Sequence, residues 1–331
     1  MSSTPAYRIS IAPMMDWTDR HCRYFLRRLS KHVLLYTEMV TTNAILRGNR
    51  EKLLRFDTSE HPIALQLGGA DVGDLVECAR IGADWGYDEI NLNVGCPSDR
   101  VQSGRFGACL MMEPDLVARC VEAMAAAVDL QVTIKSRISV DDQDEWPTLS
   151  KFSETMVNAG ASRHIVHARK AILNGLSPKQ NREIPPLRYD LVYRLKEEIV
   201  DFPIVLNGGV KTHDEIAEHL QSLDGVMIGR EAYQNPGILA AVDRLYFDPA
   251  SEVSSPKNVL YEMLPYIEKE TTDGVPLRAI LRHMMGLFHG MHGARAWRRH
   301  LSENAHQNES ATNVILEAMS QIRDEPPAIA G

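Results

Sequence analysis

Residues 204–230 read IVLNGGVKTHDEIAEHLQSLDGVMIGR, and they contain the repeating unit that decides the fold. Two short apolar runs, residues 204–207 and 225–228, are typical of buried strands. The segment between them, HDEIAEHLQS, repeats its apolar positions at spacings of three and four, which predicts a helix. A strand, a helix and a second strand in this order indicate two parallel neighbours in one sheet.

The same unit recurs along most of the chain. Eight strand-like runs alternate with helix-like segments, at residues 8–12, 34–37, 63–67, 89–94, 132–136, 164–168, 204–207 and 225–228. This rhythm over about 245 residues is typical of an α/β protein with a (β/α)8 TIM barrel. The alternative, a doubly wound open sheet, usually shows a G-x-G-x-x-G turn after its first strand, and none follows residues 9–11.

A change of composition after residue 247 predicts a second domain. DPASEVSSP is rich in Pro and Ser, and strand signals stop beyond it. The last part of the chain reads as helices, in VLYEMLPYIEKE, PLRAILRHMMGLFHGMHGARAWRRHLSENA and ATNVILEAMSQIRDE. We therefore expect a barrel over residues 1–247, a linker over 248–257 and a helical domain over 258–331.

The composition predicts a soluble globular protein. Hydrophobic residues make up 44% of the chain and charged residues 24%, and no apolar run approaches the length that spans a bilayer. The chain has five cysteines, an odd number, and no C-x-x-C pair, so neither a disulfide framework nor a thiolate zinc site is predicted. We expect free thiols. Four histidines at 283, 289, 292 and 300 have no accompanying carboxylate or thiolate. We expect a cytoplasmic monomer without a metal.

Chemically distinctive residues follow the predicted strands at their carboxyl ends, where the active sites of such barrels form. In strand order they are Pro13, Met14 and Met15, then Glu38, Gln66, Asn93 and Cys96, Lys135 and Arg137, His167 and Arg169, Asn207, Gly208 and Gly209, and finally Gly229 and Arg230. Two glycine turns after the seventh and eighth strands favour phosphate binding. The alternative is that they are tight turns beside a solvated arginine.

Three side chains among these residues suit a planar ligand. Gln66 stands among apolar residues, where an amide can bond the edge of a heterocycle. Lys135 follows a buried strand, where a cation favours an anionic or electron-rich ligand, although an ion pair with Glu38 or Asp141 is the alternative. His167 is either a ligand contact or a packed barrel histidine. Together with a phosphate site, they favour FMN as cofactor.

Local charge departs from the net charge of −8, which by itself argues against a nucleic-acid partner. Residues 278–301 contain Trp297 and no Asp or Glu, and their five arginines are Arg278, Arg282, Arg295, Arg298 and Arg299. A second cluster covers residues 20–31. Each cluster is either an RNA-binding surface or a solvated helix face.

Long motifs of this chain resemble those of the tRNA-dihydrouridine synthases, and specifically their A subfamily. The resemblance covers nearly the whole chain. Its motifs are APMMDWTDRHCRYFLR, LYTEMVTTNAILRG, PIALQLGG, INLNVGCPSDRVQSGRFGACLM, HARKAILNGLSPKQNREIPPL, GVMIGREAYQNP and GLFHGMHGARAWRRHLSENA.

The resemblance implies an FMN enzyme that uses NADPH to reduce uridine in the D-loop of tRNA to 5,6-dihydrouridine, at positions 20 and 20a. It implies that hydride from reduced FMN reaches C6 of the uracil and that Cys96 donates the proton to C5. Asn93 would contact the target region, and the residues that would contact tRNA elsewhere are Lys179, Arg182, Arg295 and Arg298. The residues that would bind FMN are Pro13, Met14, Met15, Gln66, Lys135, His167, Asn207, Gly208, Gly209, Gly229 and Arg230.

The resemblance also separates the two cysteines of segment 88–112. Cys96 follows the fourth strand in N-V-G-C-P, whereas Cys109 lies beside apolar residues in FGACLMM and reads as a packed side chain. Residues 98–107, which include Arg105, are predicted to form a mobile lid. The family's strand-five motif usually reads K-H-R-I-G, and this chain has serine at the His and Gly positions, Ser136 and Ser139.

Two other functions are compatible with parts of this pattern. The first is an FMN barrel reductase that acts on a small molecule, such as a dihydroorotate or enoate oxidoreductase; the arginine-rich helical appendage argues against it. The second is a flavin-free RNA-binding protein on a barrel scaffold. The colour of the purified protein separates this second alternative from the other two functions.

Overall fold

A computed structural model of the chain describes residues 4–98, 104, 106–305 and 310–323. The chain forms two compact units. The first consists of Met1–Asp16 and Leu34–Gly229, and the second of Trp17–Val33 and Arg230–Gly331. Residues 248–255 belong to the second unit and contain neither helix nor strand. The domain boundary predicted at residues 248–257 stays a prediction.

The first unit contains a parallel sheet that closes on itself. Its strands are β1 Ile9–Ile11, β2 Leu35–Tyr36, β3 Val40–Thr41, β4 Ile63–Gly68, β5 Glu89–Val94, β6 Gln131–Arg137, β7 His164–His167, β8 Ile204–Asn207 and β9 Gly225–Ile228. They pair in the order β1-β9-β8-β7-β6-β5-β4-β2, and β3 pairs with β4. A parallel bridge between Ser10 and Leu34 joins the two ends. These eight strands form a nearly closed barrel, so the predicted (β/α)8 fold is confirmed.

Helices alternate with these strands along the chain. They are α1 Arg20–Leu29, α2 Thr42–Arg47, α3 Arg50–Leu54, α4 Val72–Asp84, α5 Pro114–Ala127, α6 Glu145–Asn158, α7 Tyr189–Glu198 and α8 His213–His219. Side-chain caps begin several of them. Thr212, for example, accepts the N–H of Glu215, whose carboxylate accepts the N–H of Thr212 in return. Helix α1 belongs to the second unit.

The barrel strands are buried on both faces, which explains their nearly continuous apolar sequences. An apolar cluster fills part of the first unit and consists of Ala12, Leu34, Tyr36, Ala64, Ile165, Val205 and Met227. Buried polar residues of β4, β5 and β6, which are Gln66, Asn91, Asn93 and Thr133, are hydrogen-bonded to one another. The candidate site is built from these polar positions.

The second unit adds six helices at the end of the chain, which are α9 Arg230–Gln234, α10 Val242–Tyr246, α11 Pro256–Thr272, α12 Leu277–Leu281, α13 Ala294–Asn304 and α14 Ala311–Ser320. The helical stretch predicted over residues 276–305 is interrupted between α12 and α13. Gly293 has a φ of 94°, and a Cβ there would lie 2.0 Å from the carbonyl oxygen of Gln321. Only glycine tolerates this turn, and a helix cannot continue through it. None of the described helices combines the length and apolar character that crossing a membrane requires.

Candidate active site

The loop that carries Cys96 is held by the side chain of Asn93. Asn93 is the last residue of β5 on its inward face, and its Oδ1 accepts the backbone N–H groups of Gly95 at 3.1 Å and of Cys96 at 3.0 Å. The half-buried thiol of Cys96 donates to Oγ of Ser98 at 3.6 Å. Asn93, which the family resemblance places near the substrate, therefore also positions the predicted catalytic cysteine.

Gln66 of β4 is fixed between two asparagines. Its Nε2 donates to Oδ1 of Asn91 at 2.7 Å, and its Oε1 accepts from Nδ2 of Asn93 at 2.8 Å. The side chain is 1% exposed. Because an amide has two N–H groups and two lone pairs, one of each remains for a ligand. Asn91 is absent from the sequence-based list of site residues, although the alternation in INLNV places it on the same face as Asn93.

Lys135 of β6 lies opposite Asn93 in the register of the two strands. Its side chain is half-buried. Burial, and after it the positive charge of Arg137, lowers the pKa of Lys135 from 10.5 to about 7. Near neutral pH the amine is therefore present in both protonation states, and an anion beside it would favour the charged one.

The two carboxylates considered as ion-pair partners of Lys135 have other bonds. Glu38 accepts the backbone N–H of Asp16, and Asp141 accepts that of Leu173 at 2.7 Å. Among the described residues, none of the ion pairs within 4 Å includes Lys135. The ion-pair alternative is therefore not realised in the part of the chain that the structure describes.

Arg137 connects the Cys96 loop to the long segment after β7. Its Nε donates to the carbonyl oxygen of Gly95 at 3.1 Å, and its Nη1 donates to those of Lys170 at 3.1 Å and Asn181 at 2.9 Å. Burial lowers the pKa of Arg137 to about 10, so the guanidinium stays charged near neutral pH. One buried cation thus joins two segments that are distant in sequence.

Asn181 gives the segment after β7 its shape. Its side chain is fully buried, accepts the N–H of Ile172 at 2.7 Å and donates to the carbonyl oxygens of Ile172 at 2.8 Å and Leu176 at 3.1 Å. Lys179 and Arg182, both predicted to contact tRNA, are exposed; Lys179 precedes the short 3-10 turn Gln180–Arg182, and Arg182 is its last residue. Sequence analysis missed Asn181, because nothing in a polar loop shows which amide is buried.

His167 ends β7 and pairs in register with Asn207 of β8. Burial, followed by the charges of Arg137 and Lys135, holds the pKa of His167 well below its usual value, so the imidazole is neutral near pH 7. It therefore offers one N–H and one lone pair without a charge. Gly208, which follows Asn207 in sequence, must be glycine, since its φ is 120° and a Cβ there would lie 2.7 Å from Cδ2 of His167.

The two predicted glycine turns have different surroundings. Gly209 has a φ of 78°, and a Cβ on it would lie 2.6 Å from both Leu187 and the hydroxyl of Tyr189. At Gly229 the space is open, since the nearest atom to such a Cβ is Nδ2 of Asn207 at 3.9 Å. The first turn is therefore constrained by its own backbone, whereas the second leaves room for a ligand beside the main chain.

The remaining predicted cofactor contacts lie at the ends of the first and last barrel strands. Pro13 and Met14 are half-buried after β1, and Met14 packs against the apolar cluster of the first unit. Met15 is 55% exposed. Arg230 is half-buried and is the first residue of α9, in the second unit.

Cys109 lies in the 3-10 helix Gly107–Met112, where its thiol donates to the carbonyl oxygen of Phe106 at 3.0 Å. It is half-buried. Residues 99–103 and 105, which include most of the predicted lid and Arg105, lie outside the described residues. The mobility of the lid stays a prediction.

The serine at position 136 faces away from the barrel interior. Its Oγ is hydrogen-bonded to Nε2 of His164 at 2.7 Å, and Nδ1 of that imidazole is bonded to Ser153 of α6 at 3.0 Å. Because side chains alternate along β6, Lys135 and Arg137 face the opposite way. Ser139 is buried beyond the end of the strand. The departure at Ser136 therefore leaves the inward face of β6 unchanged.

The arginines of α13 are exposed, but Trp297, which lies among them in sequence, is not part of their surface. Arg295, Arg298 and Arg299 are solvent-exposed on this helix. Trp297 is fully buried, packs edge-to-face on Phe288 with ring centroids 5.0 Å apart and donates from Nε1 to a backbone carbonyl. Its spacing from Ala294 and Leu301 places it on the apolar face of the helix, so it serves the core of the second unit.

Other arginines of the two basic clusters bond to the protein itself. Arg282 donates to Asp19 at 2.7 Å, and Arg20 pairs with Glu270 at 2.5 Å. Arg23 and Arg27 are buried and donate to backbone carbonyl oxygens within the second unit. The cluster at residues 20–31 is therefore largely structural. Among the described residues, no three His, Cys, Asp or Glu side chains are grouped as a metal site would require.

The sequence of this chain is similar to those of known proteins. Residues 10–323 match the family described as dihydrouridine synthase (Dus). A Vibrio cholerae serotype O1 protein named tRNA-dihydrouridine(20/20a) synthase is 56% identical over 320 residues, which is 96% of this chain and 98% of that protein. A protein of the same name from Escherichia coli O6:H1 is 56% identical over 97% of this chain and 97% of its own length. Another from Salmonella typhi is 56% identical over 98% of each chain. This chain therefore belongs to the dihydrouridine synthase family.

Proposed function

We propose that this protein reduces uridine to 5,6-dihydrouridine in the D-loop of tRNA, at positions 20 and 20a, with FMN as cofactor and NADPH as reductant. The observation that carries the proposal is the grouping of a thiol loop, an oriented amide pair and an amine at the carboxyl ends of β4, β5 and β6. The relatives at 56% identity are named for this reaction and these positions.

The residues of the first unit fit FMN. Gln66 keeps one N–H and one lone pair for the edge of a planar ring, and Lys135 has a depressed pKa that binding of an anion would raise. Gly229 leaves open space beside its backbone, as a phosphate needs. The other residues of the first unit that we propose to bind FMN are Pro13, Met14, Met15, His167, Asn207, Gly208 and Gly209. Arg230, the first residue of α9 in the second unit, is proposed as a further contact.

When bound, reduced FMN supplies the hydride that adds to C6 of the uracil ring. Negative charge then develops on C5 and O4, and Cys96 donates the proton that C5 requires. Asn93 holds the backbone of Cys96 in place, so that the thiol meets the base without a search through loop conformations. The neutral imidazole of His167 can hydrogen-bond the uracil or the flavin without adding charge.

The target base must leave its stack to reach the end of the barrel, at a cost on the order of a few kcal/mol. Contacts to the rest of the tRNA offset this cost. We assign them to the exposed side chains of Lys179, Arg182, Arg295 and Arg298, which would contact phosphates. Asn93 would contact the uridine itself.

The test combines spectroscopy with mapping of the product. We expect the purified protein to be yellow and to bleach with NADPH, and we expect an unmodified tRNA transcript to acquire dihydrouridine at positions 20 and 20a, mapped by mass spectrometry of nuclease fragments. A colourless protein that takes up no FMN would support the alternative function, a flavin-free RNA-binding protein. Reduced protein that free uridine or orotate oxidises as fast as tRNA does would indicate a small-molecule reductase. Either result would overturn the proposal.

A further inference from the structure

A line of hydrogen-bonded side chains runs along the inner face of β5 and ends at the Cys96 loop. Glu89, Asn91 and Asn93 alternate along this strand and therefore share one face. Gln66 of β4 and Thr133 of β6 are the register partners of Asn91 on its two sides. All five side chains are buried. We call this set the β5 ladder.

Each step of the β5 ladder is a short hydrogen bond. Thr133 Oγ1 donates to Oε1 of Glu89 and accepts from Nδ2 of Asn91 at 2.9 Å. Asn91 Oδ1 accepts from Gln66 at 2.7 Å, and Gln66 accepts from Asn93 at 2.8 Å. The ladder ends where Oδ1 of Asn93 accepts the N–H of Cys96 at 3.0 Å. Each member other than Glu89 thus donates towards Glu89 and accepts from the side of Cys96.

The direction of the ladder is fixed at both ends. At one end Glu89 receives three donors, which are the guanidinium of Arg163, the phenol of Tyr36 at 2.8 Å and the hydroxyl of Thr133. A carboxylate that receives three donors acts only as an acceptor. At the other end the backbone N–H of Cys96 is only a donor. Neither end can be reversed, so the bonds between them can point only one way.

This direction determines which way each amide is turned. Rotation of the Gln66 amide by 180° would face its NH2 group towards the NH2 group of Asn93 and its oxygen towards the oxygen of Asn91. Both bonds would be lost inside a buried site, where unpaired polar groups are disfavoured. The orientation of Asn91 is set in the same way, by the hydroxyl of Thr133.

We propose that Asn91 and Thr133 are positioning residues, which transmit the orientation set by Glu89 to Asn93 and so hold the backbone of Cys96. Neither bonds to Cys96 directly, and neither belongs to the proposed flavin or tRNA contacts. The effect on turnover rests on the proposed function, whereas the effect on the loop does not. The ladder thus links the buried ion pair of Glu89 and Arg163 to the proton donor.

The test uses flavin-loaded protein with two substitutions at one position. Thr133→Val keeps the shape of the side chain and removes the bridging hydroxyl, and Thr133→Ser keeps the hydroxyl. We expect Thr133→Val to speed exchange of the Gly95 and Cys96 amide hydrogens about tenfold and to lower kcat about tenfold, with KM for tRNA within about twofold and unchanged flavin content. Thr133→Ser should restore both quantities.

A matched control removes a buried hydroxyl outside the ladder. Ser10 Oγ is buried in β1 and has no hydrogen-bond partner among the described residues, so Ser10→Ala should change neither amide exchange nor kcat. If Thr133→Val does not fold, Asn91→Asp takes its place, because it keeps the acceptor for Gln66 and loses the donor to Thr133. It should speed exchange of the same two amides.

Two results would overturn the proposal. One is exchange at Gly95 and Cys96 in Thr133→Val that equals the parent value, whatever happens to kcat. The other is a Thr133→Ser protein as impaired as Thr133→Val, since the hydroxyl would then not be the cause. If the parent protein makes no dihydrouridine, the proposed function fails, but the exchange measurements still decide whether the ladder holds the loop.

Discussion

Asn93 holds Cys96 through a single side-chain oxygen, whose distance from the backbone nitrogen of Cys96 is 3.0 Å. The same oxygen accepts the N–H of Gly95, and the amide nitrogen of Asn93 donates to Gln66. One asparagine therefore fixes the position of the cysteine that we propose as proton donor and of an amide that we assign to the flavin. A change at position 93 should affect both.

Asparagine at position 93 should be needed for both of its hydrogen-bonding groups. Asn93→Ala removes them together, and we expect kcat for dihydrouridine formation to fall about 100-fold because the Cys96 loop is no longer held. Asn93→Asp keeps the acceptor for the loop and loses the donor to Gln66. It should retain the loop geometry, seen in amide exchange, and show a shifted flavin spectrum. An Asn93→Ala enzyme with parental kcat would contradict this role.

The two cysteines should respond differently to removal. We expect Cys96→Ala to bind flavin and tRNA normally and to lose most of its turnover, because C5 of the uracil has lost its proton donor. Cys109→Ala should keep turnover within about twofold, since its thiol donates to a nearby backbone carbonyl and is not proposed to touch the uracil. Dihydrouridine formed per minute at saturating tRNA measures both. Equal losses in the two variants would refute the assignment.

Lys135 should destabilise the protein at neutral pH. Its pKa is about 7 in the folded protein and ordinarily 10.5, so the folded state disfavours its protonation. This cost is fully present below pH 7 and disappears as the pH rises towards 10.5. In protein freed of flavin, Lys135→Met should raise the free energy of unfolding at pH 7 by about 4 kcal/mol, and most of the gain should be lost by pH 10.

Urea denaturation at the two pH values measures this difference, and the same substitution should weaken flavin binding. A gain in stability that does not depend on pH would point to better packing by the methionine instead of to the titration of Lys135.

The glycine turns should separate folding from flavin binding. Gly208→Ala places a methyl group against His167 at a φ of 120°, and we expect it to lower stability by about 2 kcal/mol. A methyl group at Gly229 would meet no atom of the described residues closer than 3.9 Å, so the Gly229→Ala protein should remain stable while its affinity for FMN falls. Gly73→Ala, at an exposed position of α4, serves as the control. Unchanged FMN affinity in Gly229→Ala, measured by fluorescence titration, would remove Gly229 from the phosphate site.

The exposed arginines of α13 should contribute to tRNA binding through phosphate contacts. We expect Arg295→Ala and Arg298→Ala each to weaken tRNA binding and to reduce the slope of log Kd against log salt concentration by about one. Arg80→Ala removes the same charge at another exposed position and should leave the slope unchanged. A filter-binding series between low and moderate salt gives these slopes. Equal slopes in all three variants would exclude specific contacts by the two α13 arginines.

The barrel can be predicted from the sequence because its strands are short apolar runs with helices between them. The ends of those runs also locate most of the site, since parallel strands bring their carboxyl ends together. Strand β3, Val40–Thr41, is missed because its two residues lie outside any apolar run, unlike the equally short β2, which lies in the run VLLY. The burial of Glu89 cannot be predicted from the sequence for another reason. Its partner Arg163 is 74 positions away, and only the folded chain shows the pair.

The errors in the helical part arise from considering residue types without their spacing. Arginines beside Trp297 suggest either an RNA-binding surface or a solvated helix face. The spacing of Ala294, Trp297 and Leu301 already indicates one buried face, and the structure places the tryptophan there. The engagement of Arg282 with Asp19 cannot be anticipated in this way, because it depends on how distant segments meet.

Because the hydrogen bonds of Ser136 point away from the barrel interior, residues on one face of β6 can be substituted without changing those on the other face. Ser136, His164 and Ser153 form one unit on the helix side of the strand, and a change at one of them calls for a compensating change at another. Lys135 and Arg137 belong to the other face. A chimeric enzyme could therefore inherit its helix-side residues from one parent and its barrel lining from another, provided that each set is transferred whole.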